Sequence, residues 1–139
     1  MNSRLNIALR ERRGLVYTVE STLTNYTDTS TWAIYFGCDY ADVDRCCRLV
    51  RKELDRLIDA PLTTAQFTAA MKQIKGQIGV ACDNSENYIL DTAKSFLHYN
   101  KFEGMTDTFH QLEKLTPALL QQVASEVFDK NRLTTLIFK

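Results

Sequence analysis

The stretch Leu9–Tyr17, LRERRGLVY, predicts the change from helix to strand around which this chain is built. A basic helical segment runs into Gly14, and β-forming residues follow it directly. Glycine is favoured just past a helix end because it adopts positive φ without steric cost. The helix end and the strand start can therefore lie close together. We expect Arg10, on the last helical turn, and Tyr17, at the start of the strand, to project from one corner, which is the candidate functional site.

The residues on both sides of this corner predict a helix followed by a hairpin. Helical spacing of apolar residues predicts a first helix from Ser3 to about Arg13. Period-two alternation predicts strands over about 15–24 and 31–38, with a turn between them. The inward face of the first strand is expected to hold Leu15, Tyr17, Val19 and Leu23.

Helices are predicted for most of the remaining chain. Asp39 is expected to cap a long helix that ends before Pro61, and the TTAQ pattern at 63–66 predicts a capping box for the next helix. Residues 133–138 are predicted to form a last strand. This order predicts an α+β fold, an antiparallel sheet with helices packed on one face. Three strands make a thin sheet for so many helices, so we expect an N-terminally truncated form of a larger unit.

Length and charge limit the classes of function. The 139 residues predict a single domain over 1–139. Lys+Arg and Asp+Glu both number 17, so the net charge is zero, which disfavours nucleic acid as a partner. The alternative of a nucleic-acid contact rests only on the basic residues of the first helix, Arg4, Arg10, Arg12 and Arg13.

No apolar run approaches the ~20 residues of a membrane helix, so no membrane partner is expected. The compartment is left open, and a cytoplasmic or a periplasmic parent protein would fit.

Metal and cofactor motifs are missing from the sequence. His98 and His110 lack metal-ligand spacing, and neither H-x-x-E-H nor a nucleotide-binding loop occurs. The cysteines form no C-x-x-C pair and are expected to be reduced, a disulfide or a zinc knuckle being the weaker alternative. These cysteines are Cys38, Cys46, Cys47 and Cys82. We therefore expect no metal site and no cofactor in this chain.

Residues 9–19 resemble the L-R-E-x-x-G-L-x-Y-x-V segment of the pitrilysin, insulinase and mitochondrial-processing-peptidase family of zinc peptidases. The order of hairpin and helices that follows is also similar, so the likeness covers nearly the whole chain. The resemblance implies homologous α+β domains that face each other around an enclosed chamber. In this family one domain carries zinc through H-x-x-E-H, and another holds the peptide substrate with an arginine and a tyrosine seven residues apart. Arg10 and Tyr17 match that pair by type and spacing.

The resemblance implies a C-terminal-type domain that binds no zinc and is inactive when isolated. Its expected partners are a peptide substrate, a homologous zinc-bearing domain or subunit, and a second copy of this chain pairing at an open sheet edge. Arg10 would donate hydrogen bonds to peptide carbonyls, and the Tyr17 hydroxyl would donate to the oxyanion at the scissile bond. The alternative is a catalytically inactive structural domain that assembles complexes, with Tyr17 a core aromatic and Arg10 a solvated helix residue.

Overall fold

A computed structural model describes residues 3–83, 85–102 and 104–138. The chain divides into two compact units, Met1–Ala60 with Val123–Lys139, and Pro61–Gln122. That the whole of 1–139 acts as one domain stays a prediction. In chain order the elements are a π-helix (Asn6–Glu11), β1 (Val16–Asn25), β2 (Ser30–Cys38), a 3₁₀ turn (Tyr40–Asp42), α1 (Val43–Asp59), α2 (Thr64–Asp83), α3 (Ser85–Tyr99), α4 (Met105–Glu113), α5 (Pro117–Val127) and a second 3₁₀ turn (Lys130–Arg132).

The two strands form an antiparallel hairpin, which confirms the prediction for this part of the chain. Asn25 pairs with Ser30, and the loop is closed by the Tyr26 N–H, which donates to the Thr29 carbonyl at 2.8 Å. Along β2 the half-buried residues alternate with exposed ones until the strand nears Cys38. This is the pattern of a sheet with one face packed and the other in water.

The pairing of β1 with β2 is irregular at one point. Val16 pairs with Cys38, but Thr18 pairs with Gly37, so Tyr17 is an extra residue in β1 without a partner across the ladder. Such a β-bulge shifts the strand by one residue and re-aims the side chain that it contains. The predicted inward position is therefore wrong for Tyr17, which is 70% exposed beside the buried Val16, and it is also wrong for Leu23, which is 61% exposed.

The core of the first unit lies where the π-helix, β1 and α1 meet. Leu9, Val16 and Cys46 form its buried centre. Partly buried side chains packed around that centre are Leu5, Leu15, Val19, Phe36, Cys38, Leu49 and Val50. Because the π-helix and α1 both contribute to this cluster, helices cover one face of the hairpin. The predicted α+β class, an antiparallel sheet with helices on one face, is confirmed.

The end of α5 is fixed to the same unit by one arginine. Arg51 donates through Nη1 to the Phe128 carbonyl at 2.6 Å and through Nε to Asp55 Oδ1 at 2.8 Å. The ring of Phe128 lies against Trp32, with 4.6 Å between the ring centres. The hydrogen bond and charge of Arg51 lower the pKa of Asp55. Arg51 therefore holds the chain after α5 against α1 and is more than a solvent-facing side chain.

The predicted last strand is wrong. Residues 133–138 form no strand, and the sheet of the described residues contains β1 and β2 alone. Leu136 and Phe138 are exposed. A strand forms only where a neighbouring strand supplies its backbone hydrogen bonds, and apolar β-forming residues do not provide that neighbour by themselves.

The second unit is helical. The predicted capping box at the start of α2 is confirmed, because the Thr63 N–H donates to Gln66 Oε1 at 3.1 Å and the Gln66 N–H donates to Thr63 Oγ1 at 3.3 Å. Lys75 Nζ lies 2.9 Å from Glu113 Oε1 and joins α2 to α4. None of the described helices is both long and apolar enough to cross a membrane.

Candidate functional site

The helix before Gly14 is wider than the α-helix that the sequence predicts. The Arg12 N–H donates to the Ile7 carbonyl at 3.0 Å, five residues back, as in a π-helix. Gly14 then takes a φ of 60°, and its N–H donates to the Arg10 carbonyl at 2.7 Å. The positive φ explains why glycine stands at this position. π-helical turns are frequent at functional sites, which draws attention to this corner.

Arg10 is exposed at the end of this helix. Ala8 and Leu9 just before it are buried, so they fix the backbone that carries Arg10. The nearby Arg13 has a structural role, because its Nη1 donates to the Ala8 carbonyl at 2.7 Å. Among the described residues no hydrogen bond or ion pair engages the Arg10 guanidinium. Its N–H donors are therefore available to a ligand.

Tyr17 leaves the sheet at the β-bulge and points into solvent. Its hydroxyl donates a hydrogen bond to Asp39 Oδ1. That hydrogen bond, and then the negative charge of Asp39, raise the pKa of Tyr17 above its ordinary value. The phenol therefore stays protonated at neutral pH and keeps a proton to donate.

Asp39 was predicted to cap the following helix, and its side chain does not do so. Asp39 stands directly after β2 with an extended backbone, and its side chain makes no capping hydrogen bond to the 3₁₀ turn. Its backbone carbonyl accepts from the Asp42 N–H at 2.9 Å. The long helix α1 begins only at Val43. The carboxylate is used by Tyr17 instead.

The two predicted site residues flank one buried contact. Leu9 and Val16 belong to the same core cluster, and the Leu15 N–H donates to the Leu9 carbonyl at 3.0 Å. Arg10 follows Leu9 in the chain, and Tyr17 follows Val16. The packing thus holds both backbones at one corner of the first unit, with both side chains exposed. No hydrogen bond joins them in the described chain, since the Tyr17 hydroxyl is bonded to Asp39.

Asp39 is the site residue that the sequence pattern does not predict as a partner of Tyr17. Continuing the pairing of Asn25 with Ser30 along two regular strands would place Asp39 opposite Val16, on the other face of the hairpin from Tyr17. Aspartate is also common as a cap at helix starts, which is the role that its position after the strand predicts.

The described residues do not fit a zinc ion. Within the described parts of the chain, no three or more His, Cys, Asp or Glu side chains are grouped so as to hold a metal. The cysteines are free. Burial, followed by the neighbouring thiol of Cys38, raises the pKa of Cys46 to about 11, so this buried sulfur is a protonated thiol at neutral pH.

The amino-acid sequence is similar to that of several peptidase-family proteins. The chain is 26% identical over 137 residues to an "Uncharacterized zinc protease" of Streptomyces coelicolor, covering 99% of this chain and 30% of that protein. It is 25% identical over 118 residues to the mitochondrial-processing peptidase subunit beta of Bos taurus, covering 84% of this chain and 24% of that protein. The chain therefore spans less than a third of the length of these relatives.

Solved structures show the same fold. A chain of Complex III2 from Candida albicans, bound to Inz-5, superposes with a TM-score of 0.80 at 19% identity, over 91% of this chain and 30% of that chain. The periplasmic protease PqqL from Escherichia coli superposes with a TM-score of 0.66 at 14% identity, over 88% of this chain and 14% of that chain. Residues 1–74 match the family described as "Peptidase M16 inactive domain". The resemblance predicted from the stretch Leu9–Tyr17 is confirmed, and the chain belongs to the inactive-domain family of the M16 zinc peptidases.

Proposed function

We propose that this chain is the substrate-clamping and chamber-forming domain of a zinc metalloendopeptidase. It would hold an extended peptide for hydrolysis by a homologous zinc-bearing domain or subunit. The observation that carries the proposal is the corner itself, where Arg10 and Tyr17 stand exposed on either side of the buried contact between Leu9 and Val16.

Arg10 has the chemistry that an extended peptide requires. A peptide bound away from water loses the hydration of its carbonyl groups, and each needs a replacement donor. A guanidinium presents several N–H donors in a fixed plane and stays charged at every physiological pH. The exposure of Arg10 and its lack of a partner among the described residues support this role.

Tyr17 has the chemistry to act on the reacting carbonyl. Hydrolysis of a peptide bond places negative charge on the carbonyl oxygen, and a preorganised O–H donor stabilises that charge. A tyrosine hydroxyl is protonated at neutral pH, and the hydrogen bond to Asp39 and its charge raise the pKa of Tyr17 further. In this proposal a partner domain supplies the zinc, and among the described residues of this chain no group of three or more His, Cys, Asp or Glu side chains could hold a metal.

A second candidate function is that of an architectural domain that only helps to assemble a complex. Two observations favour it. The matching family is described as an inactive domain, and a structural neighbour is a chain of Complex III2. In this case neither side chain at the corner would contact a substrate.

Kinetics of the zinc-containing parent enzyme, or of this chain combined with its zinc-bearing partner, separate the two candidates. Tyr17→Phe removes only a hydroxyl, and we expect turnover of a fluorogenic peptide to fall by about 10²-fold, as when one oxyanion donor is lost. Arg10→Ala should mainly raise KM, because contacts remote from the scissile bond act equally on ground and transition states.

Matched controls are available in the same unit. Tyr26, which is 59% exposed on the hairpin loop, serves as Tyr26→Phe, and the exposed Arg12 serves as Arg12→Ala. Both control variants should keep the kinetics of the unmodified protein. The 139-residue chain alone should cleave nothing. Full turnover by Tyr17→Phe in an enzyme that does cleave peptides would reject the clamp and favour the architectural role.

A further inference from the structure

We propose that Asp39 is a positioning residue for Tyr17, whose carboxylate fixes the direction of the phenol ring on the β-bulge before a substrate arrives. The inference rests on the proposed clamp, because a fixed ring matters only if the Tyr17 hydroxyl meets a substrate. Asp39 itself would not touch the substrate and would act through Tyr17.

The bulge leaves the Tyr17 ring with little else to hold it. The residue has no partner across the ladder, and 70% of its surface is exposed. An exposed tyrosine on a strand ordinarily exchanges between staggered rotamers. Among the described residues, the hydroxyl makes one hydrogen bond, to Asp39. That bond is charge-assisted, and such bonds are the stronger class.

Asp39 is itself well fixed. Its backbone follows Cys38, which packs against the core cluster, and its carbonyl accepts from the Asp42 N–H at 2.9 Å. An aspartate at the residue before a helical turn ordinarily uses its side chain to accept from the free N–H groups of that turn. Here the side chain makes no such bond. The carboxylate is thus directed across the chain to a residue 22 positions away.

The arrangement suits a donor that must act late in the reaction. A tyrosine hydroxyl has a single proton, and in the substrate-free chain Tyr17 donates it in the hydrogen bond to Asp39 Oδ1. A neutral peptide carbonyl is a weaker acceptor than a carboxylate, so the O–H turns to the scissile oxygen only as negative charge develops there. Rotation about the Cζ–Oη bond moves the proton and leaves the ring in place. The contribution of Tyr17 then appears in kcat and not in KM.

The contact can be tested on the 139-residue chain without any substrate. Tyrosine labelled with ¹³C at Cζ reports the titration of each phenol by NMR, and Tyr17→Phe identifies the Tyr17 signal. We expect Asp39→Asn to shift the Tyr17 titration to lower pH, because it removes the negative charge and keeps the shape of the side chain. Asp42→Asn is the matched control and should leave the titration nearly unchanged. An unmoved Tyr17 titration in Asp39→Asn would overturn the inference.

The positioning role is tested by a double-mutant cycle in the zinc-containing parent enzyme. Asp39→Ala alone should lower kcat about tenfold with little change in KM, since a misdirected catalytic group loses rate and not affinity. In the Tyr17→Phe background the same change should have no further effect, because the hydroxyl is already absent. An equal loss in both backgrounds, or a rise in kcat, would refute a role through Tyr17. Full turnover by Tyr17→Phe would reject the clamp itself, whatever the titration shows.

Discussion

Leu9 is the residue whose removal should most disturb the corner that carries Arg10. It is fully buried, at 0% exposure, in the cluster with Val16 and Cys46. Leu9→Ala deletes three carbon atoms, each worth about 0.8 kcal/mol of transfer free energy. The cavity left behind adds on the order of 1 kcal/mol, because surrounding groups collapse only partly. The expected loss in the free energy of unfolding is therefore about 3–4 kcal/mol.

Thermal unfolding followed by circular dichroism measures this loss. For a chain of this size, about 4 °C per kcal/mol converts the estimate into a Tm lower by about 12–16 °C. Leu97→Ala is the matched control, because Leu97 lies in α3 with 82% of its surface exposed. That variant should stay within about 0.5 kcal/mol of the unmodified protein. Equal effects of the two substitutions would refute the assignment of Leu9 to the core.

Two further predictions concern backbone conformation and a buried thiol. Gly14→Ala should lower the free energy of unfolding by about 1 kcal/mol, because Gly14 has a φ of +60°. Gly76→Ala should raise it by about 0.5–1 kcal/mol, because Gly76 lies in the interior of α2 with open space around the added Cβ. Urea unfolding of both variants checks these opposite signs, and a loss of stability in both would contradict the reasoning. The pKa of Cys46 is raised to about 11 from 9.0, so its stabilising contribution is complete below pH 9 and is lost as the pH rises to about 11. Urea unfolding between pH 9 and pH 11 should show that Cys46→Ala loses less stability with rising pH than the unmodified protein does. Iodoacetamide at pH 8 should modify half-buried Cys82 faster than Cys46 in the native chain. Rapid modification of Cys46 would contradict its burial.

Much of the fold could be predicted because its signals are local. The hairpin follows from alternation and a polar turn, and the start of α2 follows from a capping box within four residues, Thr63 to Gln66. The helix end at Gly14 follows from the positive φ that only glycine adopts without strain. In each case the pattern that predicts the structure is formed by residues near one another in the chain.

Predictions failed where the outcome depends on residues far apart in the chain. The sequence of 133–138 has strand-forming character, but the described chain provides no hydrogen-bonded neighbour for it. Asp39 has capping character, but its carboxylate accepts from Tyr17 across the hairpin. Local propensities limit the conformations and hydrogen bonds that a residue can adopt, and tertiary contacts determine which of them forms.

For the candidate site, the amino-acid sequence by itself determined that an arginine and a tyrosine stand seven residues apart around Gly14, at the change from helix to strand. It did not determine which way Tyr17 faces. With regular pairing, period-two alternation would have buried Tyr17, and its hydroxyl would have been hidden from any substrate. Only the register shift between β1 and β2 turns Tyr17 outward and brings Asp39 to its hydroxyl. The physical reason is that a β-bulge is a property of two strands paired together, and the side-chain pattern of one strand does not contain it.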